Sequence, residues 1–274
     1  MKRGMEKMNR KVRIIAVVLV LVMAASVFAC GKKVKLRILD TSYADENYSI
    51  CVAKENTGLL ADIDAALETL IADGTVAKIV DYYISGVNHN LTFQQNTDGL
   101  PTLTMGTNAD FPPYEFIQTG KIVGIDAEIA AAIADKLGRK LVIDNMDFGA
   151  IIAAVQTGKV DMGMAGMTVT DERLESINFS KSYAKGVQVI IVREDSDIKS
   201  VDDLFSGDKV YKIGVQQDTT GDLYATWDLE DEGLASIDRY NKGSDAIMAL
   251  TSGKVDCVII DNEPAKAFVA TNNR

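Results

Sequence analysis

Ile152-Ala153-Ala154-Val155-Gln156-Thr157-Gly158-Lys159-Val160-Asp161 aligns without a gap on Ile247-Met248-Ala249-Leu250-Thr251-Ser252-Gly253-Lys254-Val255-Asp256. Each stretch reads as a helix, a glycine that stops it, and the β-branched start of a strand. A shorter echo lies upstream of each copy, Gly106-Thr107-Asn108-Ala109-Asp110 and Gly214-Val215-Gln216-Gln217-Asp218. A unit repeated in this way predicts an α/β protein of two lobes with the ligand cleft between them. In open α/β sheets ligands sit beyond the carboxyl ends of the strands. That rule points to the loops after Gly106 and Gly214 and to the strand ends at Ala165-Gly166 and Asp261.

Outward from the repeat, strand-like and helical runs alternate from Leu103 to Ala270. Strands are expected over 103–106, 140–144, 160–165, 186–193, 211–215 and 255–260. Helices are expected over 125–137, 148–157 and 244–251, with a turn entering a short helix at 167–174. Residues 34–86 do not fit at the front of this series. They read as strands at 36–39 and 48–53, a helix at 58–73 with Leu59, Leu60, Ile63, Ala66, Leu67 and Leu70 on one stripe, and a helix at 76–84. Residues 87–100 are rich in Asn, Gln, Thr, Asp and Gly and read as a linker.

The 274-residue chain carries 29 Lys and Arg against 39 Asp and Glu, a net charge of −10. Six cations and only one acid fall in the first 29 residues, so the remainder stands at −15. Such an acidic body argues against nucleic acid as a partner. Lys2 to Arg13 and the apolar run from Ile14 to Ala29 have the pattern of an export signal. The run is 16 residues, short of the roughly 20 that a membrane span needs. Val27-Phe28-Ala29-Cys30-Gly31 resembles a bacterial lipobox, which implies lipidation of Cys30 and a membrane anchor on an exported protein. Cys51 and Cys257 lie in apolar strands and read as buried free thiols. The one histidine, His89, has no partners at ligand spacing, so neither a metal nor a cofactor is expected.

Gly106-Thr107-Asn108-Ala109-Asp110-Phe111-Pro112-Pro113-Tyr114-Glu115-Phe116 resembles the opening of the polar amino-acid-binding proteins of ABC importers, which have the type II periplasmic-binding fold. Gly124 to Ile129, Met146 to Ile152, Ala165 to Arg173, Gly214 to Gly221 and Ile260 to Pro264 agree with that family in order and spacing. Tyr48 to Lys54, the helix from Leu59, and Asp73-Gly74-Thr75 through Tyr83 resemble the family's C-terminal end, yet here they come first. The chain therefore reads as a circular permutant, with 87–100 joining the family's usual termini. Residues 1–29 form the signal peptide in this reading. Residues 30–45 and 193–274 form the smaller lobe, and 46–86 and 101–192 the larger. The hinge falls near 41–47 and 193–196.

The resemblance implies a solute-binding protein that takes a free amino acid, closes on it and docks on a permease, as a monomer and not an enzyme. Arg173 would hold the ligand carboxylate, a fit for a bidentate guanidinium. Thr168, Thr219 and Thr220 would add donors. Asp261 and the Gly166 carbonyl would accept from the ammonium. Phe111 and Phe148 would enclose the aliphatic part, with Ala165 alongside. Asn108 and Gln216 would meet the side chain, and two neutral amides there favour a polar, uncharged ligand. From the residues alone, Arg173 could equally be a solvated helix charge and Asp261 a helix N-cap ahead of Pro264. A dehydratase-type enzyme on the same fold and an anchored amino-acid sensor remain the alternatives.

Overall fold

A computed structural model describes residues 33–274. The leader and Cys30 lie outside the described residues. Lys35–Arg274 form one compact unit. Its strands are β1 (Leu36–Ile38), β2 (Ala44–Ala53), β3 (Thr102–Thr107), β4 (Asp110–Phe111), β5 (Glu115–Gln118), β6 (Lys121–Val123), β7 (Lys140–Asn145), β8 (Met162–Gly163), β9 (Ile177–Arg193), β10 (Tyr211–Gln216), β11 (Ala235–Tyr240) and β12 (Cys257–Asp261). The helices are α1 (Thr57–Ala72), α2 (Thr75–Ser85), α3 (Ile125–Lys136), α4 (Ile151–Gln156), α5 (Asp171–Ser176), α6 (Asp202–Phe205), α7 (Thr220–Ala225), α8 (Gly243–Thr251) and α9 (Asn262–Asn273). This is the expected α/β type II architecture. Among the described residues no helix is long and apolar enough to cross a membrane.

Nine strands form one sheet in the order β11-β10-β12-β9-β2-β8-β3-β7, with β1 also on β9. Residues 188–192 of β9 pair with β12, while residues 177–188 pair with β2. β1 and β2 run in succession along β9, from Leu36 opposite Arg193 to Ala53 opposite Ile177. One antiparallel ribbon therefore passes through both halves of the molecule. Its crossing lies near Gln188, opposite Ala44, upstream of the 193–196 stretch expected from the sequence.

Local sequence explains the helices beside it. Asn56 caps α1 by accepting from the Leu59 N–H at 3.4 Å, and Leu59, Ile63, Ala66, Leu67 and Leu70 are buried on one stripe. Both 3₁₀ residues Phe148–Ala150 and α4 replace the single helix expected over 148–157. The expected strand 160–165 shrinks to β8, because only Met162 and Gly163 find partners on β2 and β3. β9 begins nine residues earlier than the apolar run at 186 suggested, since β2 supplies ladder partners for its polar first half.

Residues 87–100 carry no helix or strand, as a linker would, yet Gln94 anchors them. Its backbone N–H and side-chain amide donate to Asp135 at 3.1 and 2.9 Å, and its Oε1 accepts from the Leu141 N–H at 2.6 Å. At the chain's other end, Asn273 on α9 brackets β1: it accepts from the Leu36 N–H at 3.0 Å and donates to the Leu36 carbonyl at 2.8 Å.

β2 is central, with Ile50, Cys51 and Val52 fully buried. Ile50→Ala is expected to destabilise the protein by roughly 2–5 kcal/mol in denaturant unfolding, the cost of truncating a buried aliphatic side chain. A near-zero change would mean that residues 44–53 are a dispensable extension.

Candidate functional site

One cavity opens where the carboxyl ends of the strands from both halves converge. From the β3 side come Asn108, Phe111 and Glu115, and from the segment after β8 come Ala165 and Gly166. Phe148 precedes α4 and Arg173 sits on α5. Gln216, Thr219 and Thr220 follow β10, and Asp261 ends β12. Ten of the eleven residues picked from the sequence line this cavity, and Glu115 joins them. Thr168 does not line it. Its hydroxyl donates instead to Glu46 at 3.0 Å, because β2 brings that carboxylate beside it.

Arg173 is buried at 6% exposure, and Thr170 caps its helix by accepting from the Arg173 N–H at 3.2 Å. Its guanidinium donates to the Thr168 carbonyl at 2.8 Å and the Asp218 carbonyl at 2.9 Å, and lies 5.3 Å from the Phe148 ring centroid. It thus links both halves, and it is no solvated helix charge. Burial lowers its pKa, while Glu46 is the leading charge acting the other way. Asp261 begins α9 without capping it through its side chain. It accepts instead from the Tyr48 hydroxyl. Burial first, and the nearby Glu46 second, push its carboxyl well above the usual range.

The halves also touch directly. Gln216 donates to Asn108 at 3.0 Å, and the Ser244 hydroxyl donates to Asp110 at 2.7 Å. Asn108 further donates to the Met146 carbonyl at 2.8 Å, so both ends of its amide are engaged. The Thr219 hydroxyl donates to the Gln216 carbonyl at 2.7 Å, and Thr220 Oγ1 accepts from Gln188 at 3.4 Å. Gly166 has φ +53°, and a Cβ there would lie 2.6 Å from Phe111 Cε1, so glycine lets the ring lie on the backbone.

The stretch 103–246 matches the model of the bacterial extracellular solute-binding proteins, family 3. This chain belongs to that family. It is 34% identical over 175 residues to the arginine-binding extracellular protein ArtP of Bacillus subtilis, covering 64% of this chain and 67% of ArtP. An ancestral arginine-binding protein bound to arginine superposes with a TM-score of 0.59 at 40% identity, over 63% of this chain and 75% of that one. An ancestral arginine-binding protein bound to glutamine gives 0.58 at 41% identity, over 62% of this chain and 74% of that one.

In this solute-binding protein, three acids and one amide went unread in the sequence as parts of the site. Glu46 lies in the polar run 41–47 that reads as a hinge, and Gln188 lies in an apolar strand. Glu115 and Asp126 sit inside quoted motifs but carried no assigned role. Both are fully buried and stand against each other. Asp126 accepts from the Gly166 N–H at 2.9 Å and the Tyr183 hydroxyl at 2.8 Å, and so fixes the loop under the cavity. Burial pushes Glu115 well above the usual range and Asp126 to about 6. Among the described residues no three His, Cys, Asp or Glu are placed to hold a metal ion. Cys51 and Cys257 are buried free thiols.

An acid whose folded pKa is raised contributes stability that is present below its unfolded value and lost as pH rises through the folded one. For Asp126 the window runs from 3.8 to about 6, and the loss is about 3 kcal/mol. Asp126→Asn keeps an acceptor for Gly166 and Tyr183. Chemical denaturation is therefore expected to show a smaller loss of stability across that window in the variant, and higher stability than the parent at neutral pH.

Proposed function

We propose that this chain captures a free L-amino acid and delivers it to an ABC permease by closing its two lobes on the ligand. One observation carries the reading: a buried guanidinium, Arg173, and a buried carboxyl, Asp261, face a single cavity from opposite halves. Buried charges need partners. A zwitterion offers its carboxylate to Arg173 and its ammonium to Asp261, and so bridges the halves and favours closure. Phe111 and Phe148 would cover its aliphatic part. Thr219 and Thr220 would add donors at the carboxylate.

The neutral amides of Asn108 and Gln216 favour a polar, uncharged side chain. A second reading, a cationic ligand, has its own support. Glu46 and Asp261 are buried acids whose charges act on the one guanidinium, and Glu115 is a further buried acid on the cavity. A positively charged side chain would reduce that excess. An enzyme would need an acid or base free of a charge partner, or a cleft histidine. The one histidine, His89, instead contacts Glu128 at 3.1 Å, away from the cavity. Export and lipidation at Cys30 would hold the protein at the cell surface as a monomer beside its permease.

Isothermal titration of residues 31–274 against glutamine, arginine and the other standard amino acids tests both readings. Saturable one-to-one binding is expected, with Arg173→Ala weakening it by roughly a hundredfold or more, since a charged bond is lost and a carboxylate left unpaired. No heat from a folded protein would sink the amino-acid reading. The better of glutamine and arginine decides between a neutral and a cationic ligand.

The order of the chain is part of this reading. Residues 36–85, which lie outside the family match, supply the strand beside β9 and two helices, and their start is bonded to Asn273 near the chain's end. That supports a permuted order in which the segment would otherwise follow α9. Termini that lie close tolerate such rearrangement. A chain rebuilt with residues 33–86 placed after residue 274 is expected to fold and to bind the same ligand within a few-fold. Failure of the rebuilt chain to fold would count against permutation.

A further inference from the structure

Glu46 holds neither charge of the ligand's zwitterion in the binding scheme above, yet it lies among the groups that would meet both. It is 4% exposed on β2. Its Oε2 accepts from the Thr168 hydroxyl at 3.0 Å and from the Gln188 amide at 3.1 Å. Its other oxygen receives no donated hydrogen bond, although it is buried. The carboxyl of Asp261 stands against it, with the Tyr48 hydroxyl on the far side. Two buried carboxylates in contact cannot both stay ionised, because desolvation and mutual repulsion act together. Arg173 faces both, and one guanidinium offsets one negative charge. A proton between the carboxyls removes the repulsion and gives the orphaned oxygen a partner.

We propose that Glu46 and Asp261 form one acid pair holding a single shared proton, so that Glu46 is a positioning residue that sets the charge Asp261 offers to the ligand's ammonium. The proposal rests on the amino-acid reading of the cleft. The cavity would then balance. Arg173 takes the ligand carboxylate, and the ammonium meets one negative charge spread over two carboxyls. When a second proton is taken up at low pH, that charge disappears and the ammonium loses its partner. With Gln at position 46, Asp261 would ionise alone, without a like charge beside it, and so at lower pH.

The other groups facing the pair are left unchanged by that substitution. The Tyr48 phenol on β2 is raised by burial well above the usual range, and that of Tyr224 on α7 is pushed up to about 12, so both stay neutral. Glu115 and Asp126 form a separate pair on β5 and α3. Glu263 on α9 reaches the region through Tyr114.

Carboxyl carbon NMR of the full chain in detergent micelles, with no ligand added, would follow Asp261 from about pH 4 to about pH 8, the span of a coupled acid pair. Calorimetry with arginine and glutamine over the same range would follow binding. In the parent the two carboxyls are expected to titrate in two separated steps. In Glu46→Gln, Asp261 should titrate about one pH unit lower or more, and the acid limb of binding should move down with it. Glu46→Asp keeps the second carboxyl and should keep two steps. A Glu46 that is merely structural would lower the unfolding temperature and leave the titration of Asp261 in place, which would overturn the proposal. Paired titration in a parent that binds neither amino acid would uphold the pair but overturn its part with the ammonium, and the amino-acid reading with it.

Discussion

The antiparallel ribbon of residues 36–53 on residues 177–193 is the constraint on which the rest depends. Backbone hydrogen bonds along it join two half-sheets that also meet through side chains such as Gln216 with Asn108 and Ser244 with Asp110. At the crossing, β9 pairs with β12 on one edge and with β2 on the other, and β2 carries the ladder on to β8. Side chains near that point are enclosed from both halves, which is why Gln188 and Glu46 are buried although they are polar. Gly186 shows how tight the crossing is. A Cβ there would lie 2.6 Å from Tyr48 Cε1, so the ring that reaches Asp261 depends on the missing side chain. In the proposed closure the halves would turn about this ribbon while the residues on it stay put.

Placing charge at the crossing creates an electrostatic problem. The guanidinium of Arg173 is buried near Glu46 and Asp261, with Glu115 also on the cavity, and the effective dielectric there is far below that of water. Pairing alone cannot neutralise this set, so some acids must hold protons. Glu115 does so beside Asp126, whose carboxyl holds Gly166 beneath Phe111. Asp261 faces the cavity itself. The same physics that makes these acids costly to the fold makes them responsive to a cation that enters the cleft.

Much of the architecture was legible because it rests on local pattern. The repeated helix-glycine-strand unit marks β8 and β12 together with the helices before them, and the carboxyl-end rule led to loops that do line the cavity. What was illegible depends on partners distant in sequence. Asn178, Ser180 and Lys185 look like loop residues, yet they lie in a strand because β2 pairs with them or their neighbours. Ala44-Asp45-Glu46-Asn47 reads as hinge and not strand for the same reason, and Glu46 is missed with it. Thr168 was assigned to the ligand on its motif alone, with no local signal of the carboxylate that β2 sets beside it. Gln94 shows the converse: composition rightly gave no regular structure there, but could not reveal its docking on Asp135 and Leu141.

The family match ends at residue 246, and that boundary divides the site chemically. Arg173, at the carboxylate end of the proposed ligand, lies inside it, as do Phe111, Phe148 and the β10 loop. Asp261, Glu46 and Tyr48, at the ammonium end, lie outside it, on β12 and on the N-terminal half of the ribbon. A cavity built this way needs its strands in the right places in space, whatever their order along the chain. β2 meets that need through its ladder to β9 and β8, and Asn273 ties the start of the segment to the end of α9. The ammonium end is thus assembled wholly from long-range contacts, so its integrity reports on the whole fold, whereas the backbone of Arg173 is set by its own short helix and cap.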